Sequence, residues 1–125
     1  MEPTIRCLEM KKTGKFREPT QEERNIFQLL LRESFPGKES LSQQLARCQV
    51  RTIDGEGSLE IKQLDAPAAQ VVRRIPVEAY ANDEDGVTIH ALLHVVNGKA
   101  TELEFYKDDS SKIRKLPDKW EIMIL

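Results

Sequence analysis

Two histidines and several carboxylates are the residues of this chain whose types could do chemistry. His90 and His94 stand four positions apart in a segment that also contains glutamates and tyrosines. A histidine held between carboxylates keeps its proton near neutral pH and could act as a general acid or base. The same residue types also form polar protein-binding surfaces. The candidate residues are Glu78, Tyr80, His90, His94, Glu102, Glu104 and Tyr106.

These residues share one parity, because each has an even number. Apolar side chains occupy the odd positions around them, as in Ile89, Ala91 and Leu93. Alternation with a period of two is typical of strands that bury one face. Turns at 83–86 and 97–98 divide the segment, so we predict a three-stranded antiparallel meander over residues 72–107 with the candidate residues on its open face.

The apolar positions also predict the register of this meander. A two-residue turn at 97–98 would set odd positions of one strand against even positions of the next and split the apolar residues between two faces. We therefore predict a three-residue loop over 96–98, which pairs His90 with Glu104. The preceding hairpin places Glu78 beside His90, so that His90 lies between two carboxylates.

The two histidines are not predicted to share a metal ion. On a helix, a spacing of four would place both on one face, but on a strand it separates them by about 13 Å, at about 3.3 Å per residue. One ion cannot bridge that distance. We predict neither a metal ion nor a cofactor.

The remaining elements are predicted from capping and periodicity. Thr20-Gln21-Glu22-Glu23 has the capping-box pattern that begins a helix, and apolar residues follow at helical spacing. We expect an α+β single domain over 1–125, with one or two N-terminal helices packed on an antiparallel sheet of about five strands. Its other predicted parts are a second helix over 40–47, a hairpin over 49–62, a last strand over 119–124, and an edge strand or flexible extension over 1–15.

Charge is unevenly distributed along the chain. The net charge is −2, yet residues 76–109 contain eight acidic and only two basic residues. A nucleic-acid-binding protein needs a basic surface to displace counterions, so this class is not expected. An acidic surface is instead complementary to a protein partner with a basic surface.

Cysteine usage and hydropathy indicate the compartment. Cys7 and Cys48 belong to no metal-binding pattern, and the N-terminus lacks the apolar core of a signal peptide. No apolar run reaches the length of about 18 residues typical of a membrane span. We expect free thiols, a cytoplasmic protein and no membrane partner, with Cys48 as a small buried hydrophobe.

Short motifs lie at 19–23, 54–59, 81–87, 102–107 and 111–117. Together they resemble a family of small, uncharacterised bacterial proteins that share a domain of unknown function. The resemblance covers roughly residues 18–118. It implies a helix followed by an antiparallel meander, and it implies no activity.

Three functions are compatible with these patterns. The first hypothesis is a protein-binding module, specifically an immunity or inhibitor protein that neutralises a basic bacterial toxin domain by covering it. The second is a small enzyme in which His90 and Glu78 or Glu104 perform acid–base chemistry, which requires a pocket beside His90. The third is a structural module, a homodimer rather than a monomer, in which the open face packs on its twin.

Overall fold

The computed structural model describes residues 14–125 of the chain. The predicted edge strand or extension at 1–15, together with Cys7, therefore lies almost entirely outside the described residues. Neither described helix is long and apolar enough to cross a membrane. The elements in chain order are helices α1 (Gln21–Leu30) and α2 (Lys38–Ala46), then strands β1 (Gln49–Thr52), β2 (Leu59–Lys62), β3 (Val77–Asn82), β4 (Thr88–Val96), β5 (Lys99–Lys107) and β6 (Glu121–Ile124).

Helix α1 begins where the capping box predicted. The Thr20 hydroxyl accepts a hydrogen bond from the Glu23 backbone N–H, and the Glu23 carboxylate accepts one from the Thr20 N–H. These two bonds satisfy backbone donors that a helix start otherwise leaves unpaired. Phe27 and Leu30 are the buried residues of this helix, which confirms that its apolar stripe faces the core.

The strands form one six-stranded antiparallel sheet in the order β1-β2-β5-β4-β3-β6. The predicted hairpin, meander and last strand are all present, so the α+β prediction is confirmed. The meander begins at Val77 rather than at 72, because residues 72–76 form no strand. Strand β6 pairs with β3 and forms one edge of the sheet, while β1 forms the other edge among the described elements.

The core lies between the helices and one face of the sheet. Odd-numbered residues of β4 such as Ile89, Ala91 and Leu93 are buried there, together with Leu41 of α2. Cys48 is also buried in this core, as predicted, and burial raises the pKa of its thiol to about 11. The alternating burial of β4 confirms that its even-numbered side chains lie on the opposite face.

The β4–β5 turn corrects the predicted register. It is a two-residue turn, with Val96 opposite Lys99, and Asn97 and Gly98 both have the positive φ angles of a type I′ turn. Parity is restored by a β-bulge, since Thr101 is the extra residue between the Val95–Ala100 and His94–Glu102 pairs. Odd positions therefore face odd positions as predicted, but each pair is displaced by two residues.

A buried amide holds this turn in place. Gln44 of α2 donates hydrogen bonds to the carbonyls of Pro67 and Gly98, at 2.7 and 2.8 Å, and accepts one from the Ala100 N–H at 2.9 Å. Its side chain is completely buried. Because buried backbone groups need partners, these bonds connect the helix layer to the register of the sheet.

Candidate functional site

The even-numbered side chains of β3 and β4, and those of β5 from Glu102 onward, form a surface that no described helix covers; we call it the open face. Register places the seven predicted residues on it, on the three central strands β3, β4 and β5. Neighbouring strands extend it with Arg51, Glu60 and Lys62 on one side and with Glu121 and Met123 on the other.

His90 lies between two carboxylates, as predicted, but one of them differs from the prediction. Its Nδ1 contacts Oε2 of Glu78, and its Nε2 lies 2.7 Å from Oδ1 of Asp108. The imidazole also stacks on Tyr106, with ring centroids 4.6 Å apart and an interplanar angle of 9°. We call these four residues the His90 cluster.

The pKa of His90 is raised by these carboxylates. Burial of the ring alone would lower it, but the hydrogen bonds and negative charges of Glu78 and Asp108 outweigh that effect. His90 is therefore held in its charged form to higher pH than an isolated histidine. Burial, together with the charges of Glu78, Asp108 and Glu104, also raises the pKa of the neighbouring Tyr106.

Glu104 does not pair with His90, so that predicted contact is wrong. The two-residue displacement places Tyr106 opposite His90 and Glu104 opposite Leu92. Asp108, which the sequence prediction missed, takes the expected position beside His90. It comes directly after β5, and a correct register would have pointed to it.

His94 forms a second cluster with two glutamates. Its Nε2 lies 2.8 Å from Oε1 of Glu104, and Glu102 lies directly opposite it on β5. One ring nitrogen of His94 and one carboxylate oxygen from each glutamate all lie within 4.8 Å of one another. We call these three residues the His94 cluster.

The open face is thus a packed polar layer with an exposed aromatic ring. The side chains of His90 and Glu78 are only 18% and 15% exposed, whereas Tyr106 is 39% exposed. Tyr80 lies opposite His90 on β3 and is half-buried. A firmly held surface of this kind can bind a partner with little loss of side-chain entropy.

A buried ion pair lies on the opposite side of the sheet from the open face. Nζ of Lys107 lies 2.9 Å from Asp83 and 2.6 Å from Asp85, and Asp83 also accepts hydrogen bonds from the Arg114 and Lys115 backbone N–H groups. Burial alone would raise the pKa of Asp83, but these donors hold it well below its usual range. These bonds connect the segment after β5 to the β3–β4 turn. The ion pair of Lys107 with Asp83 and Asp85, which the sequence prediction missed, therefore has a structural role.

Two cavities in the described part of the chain lack both histidines from their linings. A groove of about 690 Å³ runs between α1 and the segment before β6, lined by Ile26, Leu29, Phe105 and Trp120 among others. A shallower cavity of about 510 Å³ lies beside the β4–β5 turn. Neither is lined by His90 or His94, so the pocket that the enzyme hypothesis requires beside His90 is not among these two cavities.

Comparison with known proteins identifies a family but no activity. The model of a domain of unknown function, DUF6984, matches residues 16–117. The chain therefore belongs to this family, which confirms the resemblance. No curated protein matches the chain, and no solved structure matches it.

Proposed function

We propose that this member of the family is a protein-binding module that recognises a basic partner through its open face. The observation that carries the proposal is a packed, acidic sheet surface that no described helix covers. Its carboxylates outnumber its cations: Glu60, Glu78, Glu102, Glu104, Asp108 and Glu121 stand against Arg51, Lys62, His90 and Lys99.

The distribution of these charges favours a specific orientation of the partner. Arg51 and Lys62 lie at the β1–β2 end, where both approach the Phe16 ring, whereas Glu78, Glu102 and Glu104 lie on the central strands β3 and β5. Complementary charge accelerates association and selects orientation more than it increases affinity. Tyr80 and Tyr106 supply the aromatic contact area that binding surfaces use at their centres.

We infer that the partner is a toxin whose active surface is basic, and that this chain acts in the bacterial cytoplasm as its immunity or inhibitor protein. A nuclease, for example, needs a basic surface for its substrate, and an acidic sheet can cover that surface. Inhibition by covering requires no catalytic group on this chain.

Acid–base catalysis by His90 has less support. A general base needs a free nitrogen lone pair within reach of a substrate. Both ring nitrogens of His90 are already bound to carboxylates, and Tyr106 stacks on the ring.

The proposal is tested by co-purification from the native source at physiological salt. The tagged chain is compared with Glu102→Lys plus Glu104→Lys, which reverses two charges of the open face. The matched control is Glu33→Lys plus Glu84→Lys, which makes the same charge change at exposed positions outside that face. We expect a basic protein to bind the original chain and the control but not the open-face variant, and its activity to be inhibited by the original chain.

Two results would contradict this proposal. Equal binding by all three forms would exclude the open face. A partner that matches the chain itself, seen as a dimer by light scattering and lost in the open-face variant, would identify the homodimeric module instead.

A further inference from the structure

We propose that the His94 cluster is a binding site for a divalent transition-metal ion such as Zn²⁺. A ring nitrogen of His94 and one carboxylate oxygen each from Glu102 and Glu104 lie within 4.8 Å of one another. Within residues 14–125, this is the only group of three such side chains that meets this distance. The site shares Glu102 and Glu104 with the surface proposed to bind a protein, but metal binding is measured on the chain alone, without any protein partner.

The β-sheet positions these ligands on rigid backbone. Glu102 and Glu104 alternate with buried Leu103 on β5 and therefore project to the same side, next to His94 on β4. The bulge at Thr101 sets Glu102 directly opposite His94. Because metal–ligand bonds are about 2.0–2.2 Å, ligand atoms around one ion lie about 3.5 Å apart. The hydrogen bond of 2.8 Å between His94 and Glu104 must therefore open to admit the ion, and Glu102 must adjust its position. Glutamate rotamers can supply both changes.

The local charges also favour a cation at this site. Glu60, Glu102 and Glu104 are neighbours on β2 and β5, and like charges directly opposite one another, as in Glu60 and Glu102, are unfavourable. Glu60 is paired with Arg51 at 2.8 Å. Glu102 is half-buried and has neither a hydrogen-bond donor nor an ion-pair partner within residues 14–125.

The ligand types indicate the class of ion. An imidazole nitrogen disfavours Mg²⁺ and Ca²⁺, which prefer oxygen ligands, and suits Zn²⁺, Co²⁺ and Ni²⁺. Three protein ligands leave at least one coordination position for water or another molecule. His94 is more enclosed than Glu104, since its side chain is 13% exposed and that of Glu104 is 37% exposed.

The other histidine of β4 provides a matched control. His90 also contacts two carboxylates, but Glu78 lies at Nδ1 and Asp108 at Nε2, on opposite sides of the ring. One ion cannot replace both contacts. A substitution at His90 therefore alters the charge of the same strand without removing a ligand.

The experiment titrates the untagged full-length chain with Co²⁺, followed by visible absorption, and with Zn²⁺, followed by calorimetry. We expect one equivalent to bind and to give the ligand-field bands of a nitrogen- and oxygen-bound ion, without the charge-transfer band of a cysteine thiolate. His94→Gln and Glu102→Gln should each weaken binding at least about 10-fold, and His90→Gln should not.

Circular dichroism establishes whether each variant is folded. If His94→Gln does not fold, Glu102→Gln still decides the test, because it is a nearly isosteric substitution of a half-buried residue. Three results would overturn the site: no binding by the original chain, a thiolate spectrum, or equal weakening by the His90 and Glu102 substitutions. None of these results bears on whether the open face binds a protein, so the two proposals fail separately.

Discussion

His90 and His94 stand on the same strand, on the same face, each with two carboxylates nearby, and yet they form different kinds of site. Around His90 the carboxylates take opposite ring nitrogens, so every polar atom of the imidazole has a partner. Around His94 both glutamates approach from β5, while Nδ1 is buried and has no partner within the described residues. Both ring nitrogens of His90 are therefore paired within its own cluster. The His94 cluster, in contrast, keeps polar side-chain atoms that have no partner among the described residues and could bind an ion.

The residue types around a histidine therefore do not distinguish a structural ion pair from a set of metal ligands. What distinguishes them is whether the carboxylates lie on opposite sides of the ring or converge. Cross-strand register decides that geometry, because a shift of two residues would place Glu104 opposite His90 and move Glu102 from His94 to Leu92.

The largest effect is expected from a substitution that disturbs the β4–β5 register, on which both histidine clusters depend. Gln44→Leu should lower the free energy of unfolding by about 2–4 kcal/mol, because it removes three hydrogen bonds and leaves the buried Ala100 N–H unpaired. Urea denaturation measures this loss. Metal affinity at the His94 cluster should fall as well, since Gln44 anchors the end of β5 nearest to Glu102. Unchanged stability would show that the turn does not depend on helix α2.

Zn²⁺ should separate the two clusters by stability. At a free concentration of 100 times its Kd, the ion should stabilise the original chain by about 2.7 kcal/mol, because it binds only the folded state. Thermal unfolding with and without Zn²⁺ measures this effect. His90→Gln should retain the stabilisation by Zn²⁺, and Glu102→Gln should lose most of it. The reverse pattern would place the ion at His90 and contradict the site at His94.

Because both ring nitrogens of His90 contact carboxylates, the contribution of His90 to the free energy of unfolding should depend on pH. His90→Gln should cost about 1–3 kcal/mol at pH 5.5, where the histidine is charged in both the folded and the unfolded chain and its bonds to Glu78 and Asp108 are fully present. Because the pKa of His90 is raised in the folded state, that stabilisation is lost as pH rises through the folded pKa. Denaturation at pH 5.5 and at pH 9 should therefore show a smaller cost at pH 9. An equal cost at both would exclude a stabilising charge on His90.

The smallest expected effect tests one partner of His90. Asp108→Asn should change stability by less than about 1 kcal/mol, because the Asp108 side chain is 55% exposed. It should nevertheless lower the pKa of His90 toward its ordinary value, which NMR titration of the imidazole measures. Asp109→Asn is the matched control, since Asp109 bonds to Ser111 and not to His90. The same displacement in both variants would indicate a general charge effect.

Much of the fold was predictable because local patterns carry it. The capping box at Thr20, the parity of the meander and the positions of its glycine-containing turns each depend on residues close in sequence, and each was confirmed. All seven candidate residues lie on the predicted face for the same reason. The resemblance to a family of unknown function was likewise contained in short motifs.

The partners on that face were less predictable. The apolar residues require that odd positions face odd positions, but a three-residue loop and a two-residue turn with a bulge both satisfy this requirement. The predicted loop was wrong, and with it the pairing of Glu104 with His90. The decisive contact is the bond from the Ala100 N–H to Gln44, which joins residues 56 positions apart.

The α+β class, the position of the open face and its acidic character follow from periodicity and charge, which are properties of residues close in sequence. Which carboxylates meet which histidine depends instead on contacts between distant parts of the chain. That choice depends on a bulge one residue long and on a buried amide from a different layer of the fold. Hence the convergence of Glu102 and Glu104 on His94, and the buried pair of Lys107 with Asp83, became visible only once the strands were in register.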